Sequence, residues 1–448
     1  MDWLKPWIAS GIFLGVIGIV LLDWIHLTIV SLLGAIVLVF LRVIRVEDAV
    51  QSVSQNYSTF VLLFGVMVIV RAFEPTGIFS YLAALIARSA KDGKRLLLGI
   101  VAITTPICAV LPNATTVMLL APLIPPIASA LETDFVPLLI LMVFVANTSG
   151  LLTLVGDPAT YLVGSSINLG FADYLRHVTP GGVLALGAIV VMIPWLFRDI
   201  WNLKFKMAED AAIAQLPPIR YPNVLRSGAI ITTFILFFFS IGQYLPNPIT
   251  PPAVALMGAA LSLLVIHQNK VDTLENIFRD IDWSTIIFLM STFILVGALE
   301  KTGVIHYLAG ILSENLGTNV FLGSLIILFL VGCVSSIVNN IPLVVAMVPL
   351  LKQYLVNVDL MDAGSLAHGF TGSFNTAVLP LFYAMMFGAT LGGNATLVGA
   401  SCNIIAAGIA EQNQRRIPFA QFLRYGVPIT AVQLTVAACY IMVLWLLQ

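Results

Sequence analysis

The sequence predicts an all-α polytopic membrane protein, an inverted-topology repeat of about ten spanning helices with two re-entrant hairpins and two broken helices at its centre. Three observations predict this. Of 448 residues only 10% are charged and 59% are hydrophobic, with mean hydropathy +1.02. Soluble domains carry about a quarter charged residues, so this chain cannot coat a water-facing surface. That excludes a soluble enzyme and a nucleic-acid binder. Uncharged runs over 96–131, 227–269 and 315–351 far exceed the ~20 residues that one span needs. The third observation is a set of residues that recurs at a constant offset.

The apolar spans read, in order, as 8–22, 26–43, 59–73, 136–163, 180–197, 226–243, 252–267, 284–300, 375–410 and 426–447. The first lacks a basic n-region and a small-residue cleavage site, so it reads as a retained span. Two further segments, 96–130 and 318–352, are broken midway by Pro-Asn-Ala-Thr-Thr (112–116) and Asn-Asn-Ile-Pro (339–342). Their arms of about 15 residues are short for a crossing, which predicts re-entrant hairpins. Non-helical backbone at that depth is tolerated only inside protein or beside a wet cavity.

Ser58-Thr59, Glu74, Thr76, Gly77 and Tyr81 recur as Ser284-Thr285, Glu300, Thr302, Gly303 and Tyr307, at offset 226. Asn113 and Pro122 recur as Asn340 and Pro349 at offset 227. Thr153-Leu154-Val155-Gly156 recurs as Thr396-Leu397-Val398-Gly399, and Gly150 as Gly393, at offset 243. The division is therefore 1–200, a linker at 201–225, and 226–448. Each half holds five spans and a hairpin, and an odd number inverts the second half. Inverted repeats with a midplane site are the pattern of secondary transporters.

Basic residues set the orientation. Arg88, Lys91, Lys94, Arg95, Arg198, Lys204, Lys206, Arg220, Arg226, Lys270, Arg279, Arg415, Arg416 and Arg424 fall on one side; Lys5, Arg42, Arg45, Arg176, Lys301 and Lys352 fall on the other. The linker is expected in the cytoplasm and both termini outside, in the cell (inner) membrane. Net charge is −1 and predicts no partner. The four cysteines (Cys108, Cys333, Cys402, Cys439) lie in apolar stretches, which argues against a disulfide framework.

Four patches share one chemistry. They are Leu-Pro-Asn-Ala-Thr-Thr (111–116), 146–160 around Thr-Leu-Val-Gly-Asp-Pro, Val-Asn-Asn-Ile-Pro (338–342), and 388–403 around Gly-Gly-Asn-Ala-Thr-Leu-Val-Gly. Gly and Pro free backbone carbonyls, while Asn, Thr and Ser add side-chain oxygens, the set that a hard cation wants. Helices restarting after each break offer their positive ends, which suits an anion. Small residues also serve plain helix packing, but four patches paired by the repeat favour an ion site. The candidate residues are Asn113, Thr115, Thr116, Asn147, Gly150, Thr153, Asp157, Asn339, Asn340, Gly393, Asn394, Thr396, Ser401 and Asn403. Asn113, Gly150, Thr153, Asn340, Gly393 and Thr396 are the candidates for Na⁺.

On these motifs (Thr-Leu-Val-Gly-Asp-Pro at 153–158, Val-Asn-Asn-Ile-Pro-Leu at 338–343, and 388–403 continuing to Ala-Ala-Gly-Ile-Ala-Glu-Gln at 406–412) the chain resembles the ion transporter superfamily. The branch is that of arsenite efflux permeases, sodium/proton antiporters and the melanosomal P protein, with the divalent anion:sodium symporters more distant. The resemblance covers nearly the whole chain. It implies a homodimer, a scaffold, and a transport part of hairpins and broken helices moving by elevator-type alternating access.

That branch usually carries Asp-Asn at both hairpin tips. Here the tips read Pro112-Asn113 and Asn339-Asn340, so both carboxylates are missing, which weakens an antiport reading. Asp157 is the one acid in the patches. An acid at bilayer depth costs ~2.5–3.5 kcal/mol on insertion scales and calls for a partner. Capping the helix that restarts at Pro158 is one role, ion binding another, and they are compatible. Glu74 and Glu300 read as interfacial acids at turns, with Arg71 one turn before Glu74. The histidines (His26, His177, His267, His306, His368) have no ligand spacing. Nor is there a haem, metal-enzyme or ATP-binding motif. No cofactor is expected beyond a coupling ion, Na⁺ or H⁺.

The expected function is ion-coupled secondary transport of a small inorganic anion or oxyanion, with the bilayer as surroundings. The alternatives are a sodium/proton antiporter, a channel built on the same hairpins, and the membrane arm of an ATP-driven pump with an ATPase subunit. Arsenite, silicate, chloride, Na⁺ with H⁺ counterflow, and a carboxylate are the candidate substrates. No basic pocket near the tips suggests a dicarboxylate binder.

Overall fold

The computed structural model describes residues 2–21, 24–205, 219–366, 370, 372 and 374–447. The middle of the linker, with Lys206, lies outside them. The described residues are helical throughout, apart from turns and an isolated bridge between Asp92 and Lys204. Among them seven helices are long and apolar enough to cross a membrane: Tyr57–Thr76, Asn113–Ala130, Thr179–Leu196, Pro222–Tyr244, Pro251–Gln268, Trp283–Lys301 and Phe419–Leu446. Lys5–Leu21, Leu27–Phe40, Phe135–Ser149, Val320–Ser335 and Thr376–Gly392 are shorter apolar helices. Leu32, Leu33, Ile36 and Phe40 face outward. An apolar exterior of this kind is stable against lipid and not against water.

The two halves follow one element order. Lys5–Leu21, Leu27–Phe40 and Tyr57–Phe73 of the first half answer to Pro222–Ile241, Pro251–Gln268 and Trp283–Lys301 of the second. Short helices not expected from the sequence recur too: Val46–Ser54 answers to Leu274–Arg279, and Ile78–Ser89 to Val304–Leu316. Phe171–His177 was likewise not foreseen. These pieces are too short and too polar to read as spans. The repeated Glu-x-Thr-Gly ends a helix in each half. Gly77 (φ 78°) and Gly303 (φ 83°) take the left-handed conformation that only glycine adopts without cost.

Hairpin one is Gly93–Cys108 followed by Asn113–Leu120 and Ile124–Ala130; hairpin two is Val320–Ser335 followed by Asn340–Asn357. Their first arms start alike. Asp92 accepts from Arg95 N at 2.7 Å, and Asn319 accepts from Leu322 N at 3.0 Å. The second arms are 18 residues each, longer than the 15 expected. Pro122 merely opens a 3-10 turn (Ala121–Leu123) and Pro349 sits inside the helix, so neither proline ends its arm. At 1.5 Å per residue an arm spans ~27 Å.

Contacts between loops sort them onto two faces. On one, Gly93 N donates to Leu203 O (2.9 Å), Arg415 pairs with Asp134 (3.0 Å), Arg220 N donates to Thr76 O (3.1 Å), and Arg71 pairs with Asp280 (2.7 Å) and Asp272 (3.1 Å). On the other, Lys301 pairs with Asp48, and Tyr440 OH donates to His177 O (2.8 Å). Arg71, Arg220 and Arg415 thus lie on the first face and Lys301 on the second. The Arg71–Glu74 pair expected from the sequence is present at 3.7 Å, but the aspartates of the other half are closer.

Helices pair crosswise between halves. Leu27–Phe40 lies along Trp283–Lys301, where Thr28 Oγ1 donates to Ser284 O at 3.1 Å, and Tyr57–Phe73 lies along Pro251–Gln268. Gly65 makes the second pairing close, since a Cβ there would lie 2.8 Å from the Ala255 carbonyl carbon. The hairpins pack instead on the broken helices, and Thr179–Leu196 packs on Phe419–Leu446.

Candidate functional site

Each broken helix enters from its own capped start. Asp134 accepts from Val136 N (3.1 Å) before Phe135–Ser149, and Asn375 accepts from Ala377 N (3.0 Å) before the helix ending at Gly392. The helices stop at Gly150 and Gly393 and restart as Pro158–Ser166 and Ser401–Gln412. Between stop and restart the backbone folds back on itself. A Cβ on Gly156 would lie 2.8 Å from Cys108 O and 3.1 Å from Gly150 O; one on Gly399 would lie 2.8 Å from Gly393 O and 3.1 Å from Ser335 O. Only glycine leaves room for these carbonyls, so the repeated Leu-Val-Gly is a packing requirement in both halves.

Each break is tied to a hairpin in the same way. Thr153 Oγ1 donates to Ala109 O at 2.5 Å, and Thr396 Oγ1 donates to Ser336 O. The carbonyls lie at the ends of the first hairpin arms, 227 residues apart. The first break is braced further by Tyr174 OH on Leu151 O (3.0 Å) and Thr179 Oγ1 on Leu152 O (2.8 Å).

The tips differ in their partners. Asn113 Nδ2 donates to Asn147 Oδ1 at 3.1 Å, whereas Asn340 Nδ2 donates to Asp157 Oδ2 at 3.1 Å. Asp157 is 1% exposed, and its Oδ1 accepts from Ala159 N at 3.0 Å. It therefore both caps its helix and binds the opposite tip. The position that answers to it in the second half is Ala400. Asn339 caps its own helix through Ile341 N (3.2 Å) and donates to Ser401 Oγ (2.8 Å). Asn147 Nδ2 donates to Asn394 Oδ1 (3.0 Å) and Asn403 Oδ1 (3.1 Å), which joins the two broken helices.

Of the sequence candidates, the structure brings Asn113, Asn147, Asn394 and Asn403 into one network, Asp157 and Asn340 into a pair, and Asn339 and Ser401 into another. Gly150, Thr153, Gly393 and Thr396 shape the breaks. Thr115 is half-buried and enters none of these networks. Thr116 and Thr390 are buried with their hydroxyls facing Cys108 and Asp157, and Ser149 Oγ has no hydrogen-bond partner among the described residues. Sequence reasoning missed Gln433, which donates to Thr148 Oγ1 at 2.8 Å; an amide within the apolar stretch 419–446 was the available signal. Among the described residues, Arg71, Arg415 and Lys301 pair with Asp280 and Asp272, with Asp134 and with Asp48, all outside the candidate residues.

The site thus gathers four helix N-termini (Asn113, Asn340, Pro158, Ser401), two carbonyl-lined breaks and one carboxylate in the buried interior. Helix N-termini carry partial positive charge and attract anions, while carbonyl, amide and hydroxyl oxygens suit a hard cation.

Comparison with known proteins agrees. A family profile described as "CitMHS: Citrate transporter" matches residues 17–372. An uncharacterized transporter of Synechocystis is 58% identical over 440 residues, covering 98% of this chain and 97% of the relative. The human P protein is 26% identical over 97% of this chain, which spans 59% of that protein's length. Among solved structures, the Alcanivorax borkumensis YdaH transporter has the same fold, with TM-score 0.53 at 12% identity over 88% of this chain and 86% of that one. The membrane fold, the paired hairpins and breaks, and the family match over most of the chain lead to one conclusion: this is an integral membrane transporter, not an enzyme, and it belongs to the CitMHS citrate transporter family within the ion transporter superfamily.

Proposed function

We propose that the protein is an ion-coupled secondary transporter that moves a small inorganic anion or oxyanion, with Na⁺ as the coupling ion. The observation that carries this reading is the meeting of four helix N-termini with two repeat-related, oxygen-lined breaks and no basic side chain. An anion takes the N-termini, and Na⁺ takes the breaks at Gly150–Thr153 and Gly393–Thr396, next to Asn113 and Asn340. Citrate, the substrate in the family description, would bring up to three carboxylates, for which arginine forks are the usual partners. The lack of arginine here favours a smaller anion.

Movement is proposed to be of the elevator type. The crosswise-paired helices form the fixed part, and the hairpins, breaks, Thr179–Leu196 and Phe419–Leu446 form the moving part. A largely apolar cavity between Val16, Leu295 and Asn339 parts the second tip from the fixed helices, a surface suited to sliding. The protein is proposed to act as a homodimer in the cell membrane, with the linker in the cytoplasm.

Proton coupling is the second reading, favoured by Asp157, the one carboxylate in the site. Flux in proteoliposomes under imposed Na⁺ or H⁺ gradients, over chloride, arsenite, silicate and citrate, tests both. Citrate uptake with no inorganic anion flux would overturn the substrate assignment.

A further inference from the structure

Gln433 lies outside the four patches, on Phe419–Leu446, and is fully buried. Its Nε2 donates to Ala185 O (3.1 Å) and Thr148 Oγ1 (2.8 Å), and its Oε1 accepts from Asn394 Nδ2 (3.0 Å). Asn394 Nδ2 also donates to Thr148 Oγ1 (3.1 Å), whose own proton goes to Phe144 O (2.8 Å). Asn394 Oδ1 is thereby left to accept from Asn147 Nδ2. At the other end Asn403 Nδ2 donates to Gly393 O (2.8 Å) and Thr396 O (2.9 Å), so Asn403 Oδ1 also accepts from Asn147 Nδ2. Both Nδ2 hydrogens of Asn147 are then used, and its Oδ1 turns to Asn113 Nδ2.

Backbone carbonyls can only accept. Ala185 O fixes the direction of Gln433, and the carbonyls of Gly393 and Thr396 fix that of Asn403. Every amide between these anchors has one orientation that satisfies all its neighbours. Reversing any one sets two donors or two acceptors face to face in a buried place, a costly arrangement.

We propose that Gln433 is a positioning residue for the first hairpin tip: Ala114 N fixes Asn113 Oδ1 (2.8 Å), and Gln433, acting through Asn394 and Asn147, holds Asn147 Oδ1 where it receives Asn113 Nδ2 and so sets where that amide stands toward the transported ion. The proposal rests on Asn113 belonging to the ion site. Gln433 touches no ion itself. The first tip is thereby tied into an amide network, whereas Asn340 donates to the carboxylate of Asp157.

The test uses Gln433→Met, which keeps the shape and removes the polar atoms, and Gln433→Glu, which keeps the acceptor for Asn394 but loses the amide donors. Both are reconstituted alongside Asn113→Ala. Chloride and arsenite are the probes, and the ion that the wild type carries is followed. Gln433→Met is expected to raise KM about tenfold, ~1.4 kcal/mol of lost binding, with maximal rate within about twofold. Gln433→Glu is expected to fall between it and wild type. Wild-type KM in a well-folded Gln433→Met would overturn the proposal. Full transport by Asn113→Ala would instead overturn the ion-site reading. The relay is then judged on melting temperature alone, in a double-mutant cycle of Gln433→Met with Asn113→Ala in purified protein. Residues that share no partner normally add, so clear non-additivity is expected and simple additivity contradicts the relay.

Discussion

Asn340 Nδ2 donates to Asp157 Oδ2 across 3.1 Å, joining the tip of the second hairpin to the restart of the first broken helix. The two residues are 183 positions apart and lie in opposite halves of the repeat. The equivalent tip, Asn113, has an amide partner instead. A symmetric fold thus carries an asymmetric site, with its one carboxylate beside one hairpin tip.

The two tip asparagines should not tolerate truncation. Asn113→Ala and Asn340→Ala each remove a buried hydrogen bond, to Asn147 and to Asp157, a loss of about 1 kcal/mol. Flux in proteoliposomes should fall at least about tenfold in each while expression stays near normal. Full activity in either variant would remove that residue from the site.

Asp157→Asn separates the two coupling readings. With Na⁺ coupling the variant should keep Na⁺-dependent flux at a weaker apparent Na⁺ affinity, because one charge is lost. With proton coupling through the site, flux should become insensitive to an imposed pH gradient. Unaltered proton-driven flux without Na⁺ dependence would defeat both.

The breaks were legible in the sequence because their chemistry repeats. Thr153 and Thr396, Gly150 and Gly393, Gly156 and Gly399 stand at one offset; the threonines and Gly156/Gly399 make the same contacts with their own hairpins, while Gly150 and Gly393 pack against Gly156 and Gly399. The spans were legible because lipid leaves so little freedom in composition. The short helices Val46–Ser54 and Ile78–Ser89 were not, since an amphipathic turn between spans carries no length signal. Gln433 was missed because its role depends on partners from three distant segments, at Thr148, Ala185 and Asn394, which no spacing along the chain announces.

Glycines in the breaks should resist even a methyl group. Gly156→Ala places a Cβ 2.8 Å from Cys108 O, and Gly399→Ala places one 2.8 Å from Gly393 O. Each should destabilise by ~1–3 kcal/mol through overpacking, seen as a lower melting temperature in detergent. Gly187→Ala, inside Thr179–Leu196 with nothing within 4 Å, serves as the control and should leave the melting temperature unchanged or raise it.

The crosswise-paired helices are braced by ion pairs on both faces, and these give them a pH dependence. Lys301, then the Arg45 amide, hold Asp48 below the usual carboxylate range; Arg71 holds Asp280 below it, as Asn276 does Asp272. Their stabilisation is fully present above the unfolded value of about 3.8 and is lost as pH falls through the lower folded values. Melting temperature should therefore hold from neutral pH down to about 4 and drop below it, and Arg71→Gln should flatten that drop. An unchanged acid limb in Arg71→Gln would show that the brace carries no stability.

If a small anion crosses through the breaks, driven by Na⁺, one measurement shows it most directly. Purified wild-type protein and Asn340→Ala are reconstituted in parallel, and uptake of chloride, arsenite, silicate and citrate is followed with and without an inward Na⁺ gradient. The wild type should take up an inorganic anion saturably, faster with the Na⁺ gradient and at turnover far below channel flux, and Asn340→Ala should abolish that uptake. Uptake that is unsaturable, indifferent to Na⁺, or undiminished in Asn340→Ala would contradict Na⁺-driven passage through the breaks.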